Sequence, residues 1–255
     1  MIVVATVGTT HPLAFAGLTF AALTLAADAV RPVCITAGVT AQDAVHVTAR
    51  TPIDPATIRA QFEALHDIPI GAFHVGALLS AESVHAVAES LAAFPDTPIV
   101  LDPVIAASGG DMLADDATRL ALRDVLLPRA SLVTPNLAEA AALLGRTVDD
   151  LDAMREAARA LTALGAKAAL VKGGHLTTDP IDVLADAHGM HEFRGTRIGA
   201  TLRGTGDLLA VTIAAHLARA ATLVEAIECA RRHVRESIAR GTNFANTRVT
   251  SFSED

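Results

Sequence analysis

Short apolar runs alternate with helix-length segments along the chain, and this order constrains the fold more than any other feature. Strands are predicted at 2–7, 33–36, 72–75, 98–101, 132–134 and 168–171, with weaker alternation over 42–48 and a hairpin made by 182–186 and 190–194. Helices are predicted at 15–27, 55–66, 81–93, 115–127, 136–144, 149–164, 205–219 and 223–240, followed by a polar tail from 242. Such alternation favours an α/β fold with a mostly parallel sheet covered on both faces.

The composition provides a large core and argues against several kinds of partner. Of the 255 residues, 51% are apolar, and Trp and Tyr are absent, so aliphatic side chains must fill the core. The net charge is −8 with scattered Lys and Arg, which argues against a nucleic-acid or anionic-membrane surface. Cys34 and Cys229 match no metal or redox spacing, so we expect free thiols in a reducing cytoplasm.

The N-terminal 27 residues are apolar but do not read as a signal peptide or membrane anchor. They lack a basic leader, and the uninterrupted stretch 13–27 has about 15 residues where about 20 are needed to span a bilayer. We interpret this segment as a buried strand, a loop and a core helix. No repeat or linker is evident, so a single domain over residues 1–255 is expected.

Polar residues end several predicted strands, and they should meet at one edge of the sheet. Ligands of open parallel sheets bind beyond the carboxyl ends of the strands. The residues concerned are Gly8, Thr9, Thr10, Gly76, Asp102, Asn136, Lys172, Gly173 and Gly174. A glycine-rich turn at the start of a predicted helix, Gly204-Thr205-Gly206-Asp207, should face the same edge.

That glycine-rich turn, which we call the anion turn, has the features of an anion site. Gly204 and Gly206 allow positive φ and close approach of a ligand, and free amides at a helix N-terminus attract negative charge. Asp207 would repel a bound phosphate, unless the anion is a transferring phosphoryl group and Asp207 takes the proton of the attacking hydroxyl. The alternative is a plain turn in which Thr205 or Asp207 caps the helix.

The remaining strand ends each have a ligand-binding interpretation and a local one. Asp102 suits an outer ligand of Mg²⁺, or a turn aspartate bonded to its own backbone. Asn136 and Glu139 either hold water on Mg²⁺ or form a capping box. Lys172, with Gly173 and Gly174, either lies along a nucleotide or makes a tight turn with a solvated lysine. His175 is interpreted as a loop histidine.

Several motifs together resemble the hydroxymethylpyrimidine/phosphomethylpyrimidine kinases of thiamine biosynthesis, within the ribokinase-like superfamily. The motifs are Leu101-Asp102-Pro103-Val104, Ser108-Gly109-Gly110-Asp111, Val133-Thr134-Pro135-Asn136-Leu137-Ala138-Glu139, Leu170-Val171-Lys172-Gly173-Gly174-His175 and Gly204-Thr205-Gly206. The resemblance implies a three-layer α/β/α sandwich and transfer of phosphate from ATP, with Mg²⁺, to a hydroxyl of a small molecule. A homodimer is also implied.

The resemblance also implies a role for each site residue. Asp102, Asn136 and Glu139 would lie around the metal and phosphates, and Lys172 with Gly173 and Gly174 along the nucleotide. The anion turn would stabilise the transferring group, with Asp207 as catalytic base. Gln42 would contact the pyrimidine, and the other predicted substrate-binding residues are Gly8, Gly76 and Val104.

Two departures separate the chain from this family. The family usually carries Cys after Gly-Thr-Gly, where this chain has Asp207, as sugar kinases and many pyridoxal kinases do. The family's substrate loop, Asp-Pro-Ser-Gly-Gly-Ala-Gly, is replaced by His11-Pro12-Leu13-Ala14-Phe15-Ala16-Gly17. We therefore expect a retained ATP half and a remodelled acceptor half. The alternatives are a pyridoxal or pyridoxine kinase, a kinase of another heteroaromatic alcohol, and a catalytically idle ligand-binding homologue.

Overall fold

A computed structural model describes residues 1–174, 176, 179–244 and 247–252, and it contains one large sheet. Nine strands form this sheet in the order β3-β2-β1-β4-β5-β6-β7-β8-β9. Strands β1, β2, β4, β5, β6 and β7 run parallel, whereas β3, β8 and β9 pair antiparallel. The strands are β1 Val3–Thr10, β2 Arg31–Gln42, β3 Val47–Pro52, β4 Ala72–Val75, β5 Ile99–Leu101, β6 Leu132–Val133, β7 Ala169–Val171, β8 Ile181–Asp186 and β9 Gly189–Arg194.

Helices cover both faces of the sheet. They are α1 Gly17–Ala27, α2 Pro55–Glu63, α3 Ala81–Leu91, α4 Asp116–Ala121, α5 Leu137–Leu144, α6 Leu151–Ala163, α7 Thr205–Leu217 and α8 Leu223–Arg240. Buried side chains of α2 to α6 share one apolar cluster with one face of the sheet, and those of α1, α7 and α8 share another cluster with the opposite face. The predicted three-layer α/β/α fold class is confirmed.

Alternation along the strands builds both clusters at once. Successive side chains of a strand point to opposite faces. In β1, Ala5 and Val7 join the cluster under α2 to α6, while Val4 joins the cluster under α1, α7 and α8. In β7, Val171 joins the cluster under α2 to α6, and Leu170 joins the cluster under α1, α7 and α8. Strands buried on both faces must be apolar throughout, which explains the short continuous runs in the sequence.

Side-chain caps fix where several helices begin. Asp54 accepts a hydrogen bond from the amide of Thr57 at 3.0 Å, and Ser80 accepts one from the amide of Ser83 at 3.2 Å. Each bond satisfies an amide that has no partner within the helix. Asp54 and Ser80 are therefore the N-caps of α2 and α3.

Three predicted elements differ from the structure. The single helix predicted over 115–127 is α4 followed by a π-helical turn, Leu122–Leu126, and a 3₁₀ turn, Leu127–Arg129. The strand predicted at 33–36 is one part of the much longer β2, because residues Gly38–Gln42 continue the strand and pair with β3. The polar tail contains a small hairpin of β10, Thr242–Phe244, and β11, Thr247–Val249. Within the described part of the chain, no helix is both long and apolar enough to cross a bilayer.

Candidate active site

A cleft of about 1230 Å³ opens at the carboxyl ends of the parallel strands, as the sheet topology predicts. Its lining includes most of the predicted site residues, namely Gln42, Asp102, Val104, Asn136, Glu139, Lys172, Gly174, Gly204, Thr205, Gly206 and Asp207. These residues come from separate stretches of sequence, and the order of the strands brings them together.

The anion turn leads directly into α7. Gly204 has φ of +75°, and a Cβ at this position would lie 2.3 Å from the carbonyl oxygen of Phe15. Only glycine avoids both the strained backbone and this overlap. No side chain caps α7, so its first amides remain available to an anion in the cleft. The alternative, in which Thr205 or Asp207 caps the helix, is wrong because Gly204 occupies the N-cap position.

Asp207 lies on the first turn of α7, and the N-terminal loop holds its carboxylate. The amide of Gly17 donates a hydrogen bond of 3.3 Å to its Oδ2. Burial, reinforced by the nearby Asp102, raises the pKa of Asp207 to about 7. A carboxylate with a pKa near the operating pH can accept a proton in catalysis and release it afterwards.

Asp102 and Lys172 form a buried ion pair beneath the anion turn. Lys172 Nζ lies 2.8 Å from Asp102 Oδ1, which also accepts a hydrogen bond from Thr134 Oγ1 at 3.1 Å. Burial alone would lower the pKa of Lys172, but Asp102 and Glu139 more than offset it and raise the pKa. Lys172 is therefore a permanent cation. It also lies close to the anion turn, because a Cβ at Gly206 would lie 3.3 Å from its Nζ.

Asn136 and Glu139 form the predicted capping box at the start of α5. The amide of Glu139 donates to Asn136 Oδ1 at 2.9 Å, and the amide of Asn136 donates to Glu139 Oε2 at 2.8 Å. Burial raises the pKa of Glu139 to about 7, although Lys172 opposes the shift. The cap fixes the side chain, and Glu139 still lines the cleft. Glu139 thus takes part in the cap of α5 and also faces the cleft.

The carboxylates at this corner fit a divalent cation that is shared with a phosphorylated ligand. Asp102, Glu139 and Asp207 face one cation, Lys172, so the ionised cluster carries an excess of negative charge. Both hydrogen bonds that Asp102 accepts end on its Oδ1. Its Oδ2 lies next to the anion turn, since a Cβ at Gly206 would lie 3.6 Å from it. Mg²⁺ takes one or two carboxylates and completes its shell with phosphate and water, so Asp102 and Glu139 could hold it together with a phosphorylated ligand. Among the described residues, no group of three or more His, Cys, Asp or Glu side chains could hold a metal ion.

The altered N-terminal loop lines the cleft next to the anion turn. His11 and Phe15 are both 4% exposed, their ring centroids lie 5.6 Å apart, and both face the cleft. Ala14 has φ of +53°, in the left-handed region that favours glycine. Gln42 and Val104 also line the cleft. The Phe15 ring and His11 therefore form this wall of the cleft. They stand in the loop that differs from the family's substrate loop.

Three predicted residues lie beneath the cleft rather than on its surface. Gly8, Gly76 and Gly173 are not among the described lining residues. A Cβ at Gly76 would lie 3.8 Å from Asp207 Oδ1, an ordinary contact distance, so Gly76 lies beside the base without contacting a ligand. A Cβ at Gly173 would lie 2.0 Å from the carbonyl oxygen of Ile181, so this glycine permits packing against β8. His175 lies outside the described residues.

Sequence reasoning missed several residues of the site. Gly17 was recognised only as a matching loop position, although its amide holds Asp207. Thr247 and Arg248 of the C-terminal hairpin line the cleft, and nothing in their polar sequence indicated it. His74 is buried beside the site, with Nδ1 2.9 Å from Thr6 Oγ1 and no partner for Nε2 among the described residues. Burial lowers the pKa of His74 to about 4, so it is neutral.

The three-layer fold and the cleft define an enzyme of the ribokinase-like class that transfers phosphoryl groups. An uncapped helix N-terminus, a buried lysine and a carboxylate with a pKa near 7 meet at the sheet edge. A model of the phosphomethylpyrimidine kinase family matches residues 15–250. The chain therefore belongs to the phosphomethylpyrimidine kinase family, as its motifs predicted.

Relatives of known description agree. The chain is 39% identical over 205 residues to the hydroxymethylpyrimidine/phosphomethylpyrimidine kinase of Streptomyces coelicolor, covering 80% of this chain and 76% of that protein. It is 40% identical over 202 residues to the thiamine biosynthesis bifunctional protein of Geobacter sulfurreducens, covering 78% of this chain. That match spans 41% of the bifunctional protein.

Two solved structures share the fold along nearly the whole chain. A phosphomethylpyrimidine kinase from Clostridium difficile has a TM-score of 0.84 at 26% identity, covering 93% of this chain and all of that one. A pyridoxal kinase from Bacillus subtilis, in complex with ADP, has a TM-score of 0.90 at 26% identity, covering 99% of this chain and 97% of that one.

Proposed function

We propose that the chain acts as a single kinase domain that transfers the γ-phosphoryl group of ATP to a hydroxymethyl group on a pyrimidine. The acceptor is hydroxymethylpyrimidine, or its phosphate, in which an oxygen of the phosphate ester takes the place of the hydroxyl as the attacking group, in thiamine biosynthesis. One observation carries the proposal: Asp207, with its pKa near 7, lies at the uncapped N-terminus of α7 beside the Asp102–Lys172 pair. The family match supports the choice of a pyrimidine.

Each part of the reaction has a residue placed to perform it. Asp207 takes the proton of the acceptor hydroxyl as that oxygen attacks phosphorus, and the first amides of α7 stabilise the charge on the transferring group. Lys172 offsets phosphate charge, and Gly174 gives the nucleotide room. Asp102 and Glu139 would hold Mg²⁺, which when bound neutralises the phosphates and orients them.

The acceptor end of the cleft would hold the heteroaromatic ring. Gln42 has both donor and acceptor groups to pair with ring nitrogens, while Val104 and Phe15 provide apolar surface. The ring would then lie with its hydroxymethyl group toward Asp207. Burial by these side chains excludes water, which would otherwise compete with the acceptor hydroxyl for the phosphoryl group.

A pyridoxal or pyridoxine kinase is the second candidate, favoured by two observations. Asp207 stands where hydroxymethylpyrimidine kinases carry Cys, and the Bacillus subtilis pyridoxal kinase matches the fold with a TM-score of 0.90. Both candidates share the ATP half and differ only in the acceptor. A catalytically idle homologue is a third reading, since the substrate loop is altered.

One experiment separates these candidates. ADP release is measured with ATP and Mg²⁺ against hydroxymethylpyrimidine, its phosphate, pyridoxal and pyridoxine, and calorimetry measures the binding of each compound. We expect turnover with a pyrimidine and at least tenfold lower kcat/KM with the vitamin B6 compounds. Preference for pyridoxal or pyridoxine selects the second candidate. Binding of ATP with no ADP formed in the presence of any acceptor selects the idle homologue.

The resemblance also implies a homodimer, and the free thiols of Cys34 and Cys229 indicate a reducing cytoplasm, so we include both in the proposal. Two separate measurements test these points. Light scattering on the purified protein gives its mass relative to the 26.3 kDa chain. Fractionation of the source cells locates the protein, and recovery with membranes would contradict the cytoplasmic assignment.

A further inference from the structure

We propose that Asp182 shapes the nucleotide-binding part of the cleft by holding the turn Gly173-Gly174, which we call the nucleotide turn, to the Arg231 guanidinium of α8. Asp182 and Arg231 are then positioning residues for ATP. The inference rests on the proposed function, because it assumes that ATP lies along this turn. It gives the Asp182–Arg231 pair a role in nucleotide affinity and none in the choice of acceptor.

The two carboxylate oxygens of Asp182 are bonded to different parts of the fold. The amide of Gly173 donates to Oδ1 at 2.9 Å, and Arg231 Nε donates to Oδ2 at 2.7 Å. The side chains of Asp182 and Arg231 are only 13% and 17% exposed, so water competes weakly for either bond. Since hydrogen bonds to an ionised group are the stronger kind, Asp182 holds the nucleotide turn and α8 together.

The register of the sheet explains why Asp182 reaches both partners. Strands β7 and β8 are antiparallel, with Val171 paired with Val183, and β7 leads through Lys172 into the nucleotide turn. Asp182 therefore lies next to the start of that turn. Val183 belongs to the cluster under α2 to α6, and Leu184 to the cluster under α1, α7 and α8. Because side chains alternate along a strand, Asp182 points to the same face as Leu184, where α8 packs.

Further contacts fix Arg231 and the helix that carries it. The Arg231 guanidinium lies over the Phe193 ring, 5.6 Å from its centroid, and its Nη1 donates to the carbonyl oxygen of Arg194 at 3.4 Å. One helical turn later, Arg235 Nη1 donates to the carbonyl oxygen of Thr196 at 2.7 Å. Helix α8 is therefore attached to β9 and to the segment after it, as well as to the nucleotide turn.

The parts that Asp182 joins both contribute to the wall of the cleft. Gly174 lines it from the nucleotide turn, and Val234 and Ile238 line it from α8. A Cβ at Gly173 would lie 2.0 Å from the carbonyl oxygen of Ile181, so the turn has only its backbone through which it can be held. The spacing between this turn and α8 sets the room for a nucleotide, and the two bonds of Asp182 fix that spacing.

A double-mutant cycle with a matched control separates positioning from general stability. Asp182→Ala removes both bonds, Arg231→Met removes the guanidinium but keeps an apolar stem over Phe193, and the double variant completes the cycle. The control is Arg155→Met. Arg155 Nε lies 2.8 Å from Glu192 Oε1 and joins α6 to β9, and neither residue is among the described lining residues of the cleft. The readouts are the ATP dissociation constant by calorimetry, KM for ATP and for the pyrimidine, kcat, and the unfolding temperature.

We expect ATP to bind roughly tenfold more weakly to Asp182→Ala and to Arg231→Met, the low end of the loss when a partner that orients a metal ligand is removed. The kcat and the KM for the pyrimidine should stay within about threefold of the wild type, as for a change confined to nucleotide binding. The reason is that Lys172 keeps its own bond to Asp102. The double variant should bind ATP as weakly as Asp182→Ala alone, because Arg231 acts through Asp182. Arg155→Met should bind ATP normally, whatever its unfolding temperature.

Three results overturn the inference. They are an unchanged ATP affinity in Asp182→Ala, losses that multiply in the double variant, and an equal loss of ATP affinity in Arg155→Met. Losses that multiply would mean that Arg231 acts on the nucleotide without Asp182. If Asp182→Ala does not fold, Asp182→Asn takes its place in the cycle, since it keeps an acceptor for the Gly173 amide and loses the charge that faces Arg231.

Failure of the inference can be distinguished from failure of the proposed function, because the calorimetry needs neither acceptor nor turnover. If the wild type binds ATP but releases no ADP with either pyrimidine, the proposed function fails, and the ATP affinities of the variants still decide the inference. Turnover with a pyrimidine and an unchanged ATP affinity in Asp182→Ala would keep the proposed function and overturn the inference. A wild type that binds no ATP would overturn both.

Discussion

The amide of Gly17 donates a 3.3 Å hydrogen bond to Oδ2 of Asp207, joining residues 190 positions apart in the sequence. Gly17 is the first residue of α1 and ends the N-terminal loop, whereas Asp207 lies on the first turn of α7. The proposed base is therefore oriented by the same loop that lines the acceptor end. A change in that loop can alter acceptor choice and base geometry together.

Replacing Gly17 by alanine should impair catalysis through this bond. Gly17 has φ of +68°, and a Cβ would lie 2.4 Å from the carbonyl oxygen of Thr9. The left-handed conformation alone costs an alanine about 1–2 kcal/mol. We expect a kcat at least tenfold lower, one order for about 1.4 kcal/mol of lost transition-state stabilisation. Gly189→Ala is the control, since φ is +128° but no atom lies within 4 Å of the added Cβ. An unchanged kcat in Gly17→Ala would show that catalysis does not need the hydrogen bond between Gly17 and Asp207.

The pH dependence of kcat/KM should report the ionisation of Asp207. The base works only when ionised, and burial raises its pKa to about 7, so kcat/KM should rise with pH to a plateau above about 7. Glu139 has a pKa in the same range, so Glu139→Gln serves as the control that should keep this rise. Asp207→Asn should lose it. A wild-type profile that is flat from pH 5 to 8 contradicts the assignment.

Removing Lys172 should destabilise the protein as well as inactivate it. Lys172 and Asp102 are only 14% and 3% exposed, and breaking a buried pair typically costs about 3–5 kcal/mol. We expect that loss in Lys172→Met, with partial recovery when Asp102→Asn is added but no recovery of activity. The exposed Arg59–Glu89 pair is the control and should contribute about 0–1 kcal/mol. Denaturant titration of the wild type, Lys172→Met, Asp102→Asn and the double variant measures the difference, and additive costs for Lys172 and Asp102 would argue against coupling.

Two substitutions of Glu139 should separate its role as a helix cap from the role of its charge. Glutamine also completes a capping box, so Glu139→Gln should keep the free energy of unfolding within about 0.5 kcal/mol while removing the charge. If Glu139 helps to hold Mg²⁺, the Mg²⁺ concentration for half-maximal rate should rise at least tenfold, or about 1.4 kcal/mol. Glu139→Ala should show both losses. An unchanged Mg²⁺ requirement in the Gln variant would leave Glu139 with only its cap.

Local chemistry in the sequence was enough to predict much of the fold. The strand at 72–75 and the helix at 223–240 have the predicted bounds, and the Asn136–Glu139 cap follows from spacing alone. The order of the strands also explains why Asp102 and Lys172 meet. Each of these features depends on residues near in sequence or on a general rule of parallel sheets.

Other features depend on contacts that no local pattern encodes. The Gly17–Asp207 bond and the packing of Phe15 against Gly204 join the N-terminal loop to α7. The β10–β11 hairpin is short and polar, so its strands are stabilised by the partner strand rather than by an apolar period. His11 appeared only as a departure from a family pattern, and its burial against Phe15 required the packing of the loop.

Asp207→Asn tests the central claim most directly, because the amide has the same shape as the carboxylate but cannot accept the hydroxyl proton. Turnover should be measured with ATP, Mg²⁺ and the best pyrimidine acceptor, and the ATP affinity by calorimetry. The account predicts a kcat lower by about 10²–10⁴-fold, the usual contribution of a general base, with ATP affinity nearly unchanged. A near-wild-type kcat in Asp207→Asn would contradict it.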